Sequence, residues 1–78
     1  MNLFDKVRFA VATTLDVPAS SIHETTTDKD IAAWDSVGHV NLMMALEQTF
    51  NIQLEVEDFA RLNSIPSILD FLRKENIE

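Results

Sequence analysis

The sequence predicts an all-α protein, a small four-helix bundle made of three longer helices plus a short third helix, with a long first loop. In several segments apolar residues recur at the i, i+3, i+4 and i+7 spacing of an amphipathic helix, and no segment alternates convincingly enough for a β-strand. The 78 residues suffice for a single domain spanning residues 1–78. A domain of this size buries only about 60% of its unfolded surface, which leaves little space for a deep catalytic cleft.

The first helix is predicted over residues 3–15, where apolar residues fill two adjacent faces. Asn2 is the expected N-cap, and Asp5 lies in the first turn, where a negative charge complements the helix dipole. Pro18 ends any continuation of this helix, because proline lacks the backbone N–H that the next turn requires.

Residues 16–35 are rich in Thr, Ser and Asp and are predicted to form the long loop. Loops of this length in compact domains are usually functional or disordered. Isolated apolar residues along this loop indicate that it packs over the core: Val17, Ile22, Ile31 and Trp34.

The second helix is predicted to begin at Asp35 or Ser36 and to end near Phe50. Its expected inward side chains share a helical spacing: Val40, Leu42, Met43, Leu46 and Phe50. A short third helix over residues 56–62 is expected to place three apolar residues on one side: Val56, Phe59 and Leu62. Ser64 is the expected N-cap of the last helix, whose first turn tolerates Pro66. The inward residues of this last helix follow a regular pattern: Ile65, Ile68, Leu69 and Leu72.

Charge and composition exclude several classes of function. Thirteen acidic and six basic residues give a net charge of −7, which opposes binding to nucleic acid or anionic membranes and suits basic protein surfaces. The chain has no cysteine, and His23 and His39 are too few and too scattered for zinc, so no metal site is predicted. Without a membrane-length apolar run or a signal-peptide pattern at the start, the chain is expected to be a cytoplasmic monomer.

The pair Asp35-Ser36 at the start of the second helix has two interpretations. Both residue types are favoured N-caps, so the pair needs no function beyond capping. A helix N-terminus also favours anions, and a serine there is well placed to carry a phosphate. Gly38, the chain's only glycine, costs about 1 kcal/mol relative to alanine inside a helix. We expect it to permit close approach of another backbone, a ligand or an enzyme, with ordinary helix packing as the alternative.

The stretch DSVGHVNLMMALEQTF resembles the D-S-[LV]-x-x-[VI]-x-L-x-x-x-[LI]-E pattern of acyl carrier proteins and related carrier domains. Seven residues occupy pattern positions, namely Asp35, Ser36, Val37, Val40, Leu42, Leu46 and Glu47, and the apolar Phe50 follows three residues after the pattern ends. The resemblance covers nearly the whole chain, including its length, its acidity, the order of its helices and the short acidic third helix.

This resemblance implies that Ser36 carries 4'-phosphopantetheine. In such carriers the serine hydroxyl attacks the pyrophosphate of coenzyme A inside a Mg²⁺-dependent phosphopantetheinyl transferase, and the arm's thiol then holds acyl groups as thioesters. The carrier has no catalytic activity and serves enzymes of fatty-acid, polyketide or related acyl biosynthesis. Acyl chains are expected to enter the apolar core, although ordinary packing also accounts for the two methionines among the expected pocket residues. These residues are Val40, Met43, Met44, Leu46, Phe59 and Leu62.

Partner enzymes are expected to read an acidic face around the second and third helices. The expected recognition residues are Asp35, Val37, Gly38, His39, Asn41, Glu47, Glu55, Glu57 and Asp58. Typical fatty-acid carriers hold acids where this chain has Gly38 and Asn41. That departure favours a dedicated pathway or a specialised carrier over a housekeeping fatty-acid role, and Gly38 is expected to leave space for transferase or arm.

Two other functions stay open. The D-S-x-G start is similar to that of D-alanyl carrier proteins, so an aminoacyl cargo is one alternative, and an unmodified acidic module that binds basic partners is another. An esterase built from Asp35, Ser36 and His39 is disfavoured, because successive helical residues do not face each other. A calcium loop beginning at Asp28 also fails, since Ala33 stands where the loop requires glycine.

Overall fold

A computed structural model of the protein describes residues 2–77 and contains four α-helices in this part of the chain. They are α1 (Leu3–Leu15), α2 (Ser36–Phe50), α3 (Val56–Arg61) and α4 (Ile65–Lys74). The all-α prediction and the order of the helices are therefore confirmed. The first three helices begin and end within one residue of their predicted bounds, and α4 begins directly after its predicted N-cap, Ser64. Met1 and Glu78 of the predicted domain lie outside the described residues. None of the described helices is long and apolar enough to cross a membrane.

The helix ends follow the expected capping chemistry. The side-chain oxygen of Asn2 accepts a hydrogen bond from the backbone N–H of Asp5 at 2.8 Å, and Ser64 caps α4 by accepting from the backbone N–H of Ser67. Helices α1 and α2 end at left-handed residues, Asp16 with φ 57° and Asn51 with φ 54°. Each returns its backbone N–H to a carbonyl of the last helical turn, which satisfies groups that the helix itself leaves unpaired.

The long loop between α1 and α2 packs on the bundle as predicted. Ile22, Ile31 and Trp34 are buried in it, and Val17 is partly buried against the core. The loop also contains two short 3₁₀-helices (Ala19–Ser21 and Asp28–Asp30), which the sequence did not indicate. Backbone hydrogen bonds also attach the long loop to the connection between α3 and α4.

Two backbone hydrogen bonds, which together form one antiparallel bridge, attach this loop to the connection between α3 and α4. The N–H of Asp28 donates to the carbonyl of Asn63 at 2.9 Å, and the N–H of Ile65 donates to the carbonyl of Thr26 at 2.8 Å. An isolated antiparallel bridge pairs Thr27 with Ser64 and is the only β-type pairing in residues 2–77. The loop thereby covers one end of the bundle and delivers the chain to the start of α2.

The core confirms most of the predicted inward residues and corrects two of them. On α4 all four predicted residues are buried, and on α2 the buried residues are Leu42, Met43 and Leu46. Val40, however, is 46% exposed, and Val56 is 83% exposed, so their prediction as inward residues was wrong. At 100° per residue, Val40 lies on the side of α2 away from the buried face, and Val56 opens a helix that buries none of its six residues.

Candidate functional site

Ser36 is the first residue of α2, and its side chain is exposed. The N-cap is Asp35, whose carboxylate accepts a hydrogen bond from the backbone N–H of Gly38 at 2.9 Å. Capping is thus performed by the aspartate, and within residues 2–77 the serine hydroxyl has no hydrogen-bond partner. Of the two interpretations of this pair, capping applies to Asp35. The hydroxyl of Ser36 is not used in capping and is therefore available for modification.

An open cleft of about 430 Å³ lies directly beside this hydroxyl. It runs between the end of the long loop, the first turn of α2 and helix α3. Its lining mixes polar and aromatic groups: Asp28, Trp34, Asp35, Ser36, His39, Phe59, Ala60 and Asn63. An exposed hydroxyl at a helix N-terminus, with open space next to it, fits a phosphodiester-linked group, because the first N–H groups of the helix and its dipole favour a bound anion.

His39 joins three elements on the floor of this cleft. The indole Nε1–H of Trp34 donates to Nδ1 of His39 at 2.9 Å, and the two rings stack with centroids 6.3 Å apart. Because Nδ1 is the acceptor, the proton of the neutral ring lies on Nε2, which donates to the backbone carbonyl of Phe59. His39 was expected to contact partner enzymes, and the structure gives it these internal contacts.

Sequence reasoning did not find this link between Trp34, His39 and Phe59. A tryptophan and a histidine five residues apart, on either side of a helix start, were a visible signal for the first contact. The second contact joins residues twenty apart through a backbone carbonyl, which carries no signature in the residue types. The burial of Trp34 under the loop agrees with the packing role that its position suggested.

Gly38 is required by packing inside the protein. A Cβ atom at this position would lie 2.2 Å from the carbonyl oxygen of Ala33 and 3.0 Å from Cδ2 of Leu15. The approaching backbone is therefore the protein's own loop. This contact fills the space that was expected to serve a transferase or the arm, and ordinary packing explains the glycine.

The outer side of α2 carries an apolar stripe that begins next to Ser36. Val37, Val40 and Met44 recur at i, i+3 and i+7, and their exposed fractions are 70%, 46% and 50%. Val40 and Met44 were expected to line an acyl pocket, and in this structure both side chains face outward, away from the buried Leu46. The remaining expected pocket residues lie inside or at the edge of the core: Met43, Leu46, Leu62 and the partly buried Phe59.

The expected acidic recognition residues differ in how available they are. The carboxylate of Glu47 is partly buried and accepts a hydrogen bond from the backbone N–H of Leu54 at 2.9 Å, so it holds the loop after α2. Asp58 accepts from the backbone N–H of Glu55 at 2.9 Å and closes the first turn of α3. Asn41, Glu55 and Glu57 have exposed side chains near the apolar stripe or at the start of α3.

Comparison with known proteins adds a family-level match to this geometry. Residues 5–72 match the family model described as a phosphopantetheine attachment site. The chain is 32% identical over 75 residues to the acyl carrier protein of Thermosynechococcus vestitus, which covers 95% of this chain and 91% of that protein. It is 27% identical over 77 residues to the acyl carrier protein of Buchnera aphidicola subsp. Acyrthosiphon pisum (strain Tuc7), covering 99% and 96%. It is 28% identical over 76 residues to that of Clostridium acetobutylicum, covering 97% and 99%.

Proposed function

This chain belongs to the acyl carrier protein family and carries covalent 4'-phosphopantetheine, and we propose that Ser36 is the residue to which the group is attached. The observation that carries the proposal is the exposed hydroxyl of Ser36, which has no partner within residues 2–77 because Asp35 caps the helix. When bound, the group supplies a thiol that holds acyl cargo as a thioester. Proteins of this family are carriers rather than catalysts, and we assign the same role to the single domain of residues 1–78.

The chain's own residues have three tasks in this function. Asp35 fixes the first turn of α2, so the hydroxyl of Ser36 has a defined position at the edge of the cleft. The free N–H groups of that first turn favour the negative charge of the phosphodiester once it forms. The cleft is open on one side, so a transferase can reach the hydroxyl of Ser36. This access is needed because the hydroxyl has to attack the pyrophosphate of coenzyme A inside that enzyme.

We assign partner recognition to the apolar stripe of Val37, Val40 and Met44, together with the exposed acids Glu55 and Glu57. An apolar stripe beside acidic groups suits the basic surfaces expected of a phosphopantetheinyl transferase and of acyl-loading and acyl-processing enzymes. The apolar contact supplies affinity through burial, while the charges act mainly on rate and selectivity. The pathway, whether fatty-acid, polyketide or aminoacyl, stays a prediction, as do the cytoplasmic location and the monomeric state.

Intact-protein mass spectrometry tests the attachment site. The protein is incubated with coenzyme A, Mg²⁺ and a broad-specificity phosphopantetheinyl transferase, and we expect a gain of one phosphopantetheine unit. The matched control is Ser36→Ala, which we expect to fold normally because Asp35 supplies the cap and alanine is favoured in helices, and to gain nothing.

Two results would contradict the proposal. A gain that persists in Ser36→Ala would place the attachment elsewhere in the chain. The absence of any gain, both with this transferase and in protein isolated from its native cells, would instead favour the unmodified interaction module.

A further inference from the structure

The contacts of His39 place it at the boundary between the cleft and the core. Ser36, His39 and Met43 recur at i, i+3 and i+7 and so share one side of α2. The first two line the cleft, and Met43 is fully buried in the core. An acyl group that enters the bundle through the cleft beside Ser36 and follows α2 inward therefore meets the imidazole of His39 before it meets Met43.

The same imidazole closes the gap between α2 and α3. Its Nε2–H donates to the carbonyl of Phe59 in α3, while its Nδ1 accepts from Trp34 in the long loop. Helix α3 has six residues, none of them fully buried, and it contacts the core through the partly buried Phe59. The hydrogen bond from His39 to the carbonyl of Phe59 adds to this packing in holding α3 against α2.

Apolar cargo that enters between α2 and α3 has to break the hydrogen bond between His39 and Phe59, whereas the bond from Trp34 lies on the α2 side of this gap and can persist. The Nε2–H of His39 and the carbonyl of Phe59 would then be left without partners in a desolvated place. Each group left unsatisfied in this way lowers the equilibrium constant for entry by roughly tenfold. Each methylene group that is buried raises it by about fourfold. The two unsatisfied groups therefore offset the burial of about three methylene groups.

We propose that His39 is a specificity-determining residue of this carrier, which sets the minimum length of acyl chain that is taken into the helix bundle. The inference rests on the proposed attachment at Ser36. Acyl groups shorter than the threshold stay outside, where partner enzymes reach them without opening the bundle. The cargo class that fits this arrangement best is a short or polar acyl group, since burial of neither offsets the loss of the bond between His39 and Phe59.

The test uses the fluorescence of Trp34, the only tryptophan in the chain. The transferase is supplied with acetyl-, butyryl-, hexanoyl- or octanoyl-coenzyme A, and mass spectrometry verifies that each acyl group is loaded. In the unaltered protein we expect acetyl and butyryl groups to leave the emission of Trp34 unchanged. In His39→Leu, which keeps side-chain volume but forms neither bond, we expect the change in emission to begin at a chain about three carbons shorter than in the unaltered protein.

Two controls separate this role from a merely structural one. His39→Gln retains an amide N–H for the carbonyl of Phe59, so it is expected to hold the threshold closer to that of the unaltered protein. Ser36→Ala mixed with the same acyl-coenzyme A series reports any effect of unattached ligand. If His39→Leu does not fold, as judged by circular dichroism, the chain-length series on the unaltered protein and on His39→Gln still tests whether His39 sets the minimum chain length.

The outcomes divide clearly. Any of three results would overturn the role of His39. The emission could change with acetyl or butyryl groups in the unaltered protein, the change could begin at the same chain length in His39→Leu, or neither protein could show a change at any length. A change in His39→Leu alone, with none in the unaltered protein, would support it. Failure of loading in the mass spectrum, together with unmodified protein from the native cells, would instead overturn the proposed function at Ser36, and with it the basis of this inference.

Discussion

At the scale of single residues, the first turn of α2 separates two tasks that one serine could have combined. Asp35 satisfies the helix N-terminus, and Ser36 is left with an exposed hydroxyl. The neighbouring Gly38 then admits the carbonyl of Ala33, which brings the end of the long loop against the helix. A close backbone contact that only glycine permits therefore lies two residues from the serine.

The steric cost of replacing Gly38 with alanine is expected to lie at the upper end of about 1–3 kcal/mol, because the new Cβ atom would lie 2.2 Å from a backbone oxygen that must move. After the gain of about 1 kcal/mol that alanine brings to a helix interior, we expect a net destabilisation of about 2 kcal/mol. The free energy of unfolding from urea titration measures the effect. Asn41→Ala, at an exposed position of the same helix, is the matched control and is expected to be neutral or slightly stabilising; equal effects of the two substitutions would refute the packing argument.

At the scale of elements, the four helices were predictable because periodicity and capping are local properties of the chain. The buried face of α4 is an example, since Ile65, Ile68 and Leu72 follow the helical spacing without interruption. Periodicity was a poorer guide on α2, where apolar residues occur on both faces: Met43 is buried, whereas Val40 and Met44 are exposed. Val40 was therefore assigned to the wrong side, because the packing of α1 and α3 against α2 decides which side is covered.

The site was predictable to a similar extent. The position of Ser36 at the start of a helix followed from local sequence, because Asp35-Ser36 is a helix-start signal. The link between His39 and Phe59 was not predictable, since it depends on how α3 lies across α2. The internal contact of Glu47 with the N–H of Leu54 was missed for the same reason, as it spans a loop whose path the sequence does not specify.

Helix α3 is expected to be the least stable element. It has six residues, well below the length at which isolated helices persist in water, and none of these residues is buried. In native-state hydrogen exchange, the amides of Ala60 and Arg61 should exchange through local opening, at rates well above those of Leu42 and Leu46 in α2. His39→Leu should raise the exchange in α3 further while leaving α4 unchanged. Protection in α3 equal to that of α2 would contradict this expectation.

At the scale of the whole molecule, charge opposes compactness. Thirteen acids against six bases leave a net charge of −7, since 13 − 6 = 7. The ion pairs in the described residues include Asp5 with Arg8 at 3.1 Å and Asp70 with Lys74 at 3.2 Å, both on the surface, where such pairs contribute little. Repulsion among the remaining acids is therefore incompletely compensated in the folded state.

Added salt is accordingly expected to stabilise the protein. Raising sodium chloride from about 0.01 M to about 0.15 M shortens the screening length from about 30 Å to about 8 Å, which weakens repulsion across the whole domain. For a domain of this size each 1 kcal/mol gained raises the thermal midpoint by roughly 4–8 °C, which circular dichroism resolves. Glu24→Gln, at an exposed loop position, should raise the midpoint at low salt and reduce the response to salt; a midpoint that falls with salt would refute the argument.

The backbone contacts on either side of α3 have a consequence for how this part of the molecule moves. Before the helix, Leu54 is held by the carboxylate of Glu47, and after it Asn63 and Ile65 are tied to the long loop. The segment between these anchors is short and both of its ends are held, so local opening is expected to move α3 away from α2 while the ends keep their positions. Because the separation of the ends does not change, closing carries little entropic cost, and α3 is expected to return to the same position against α2.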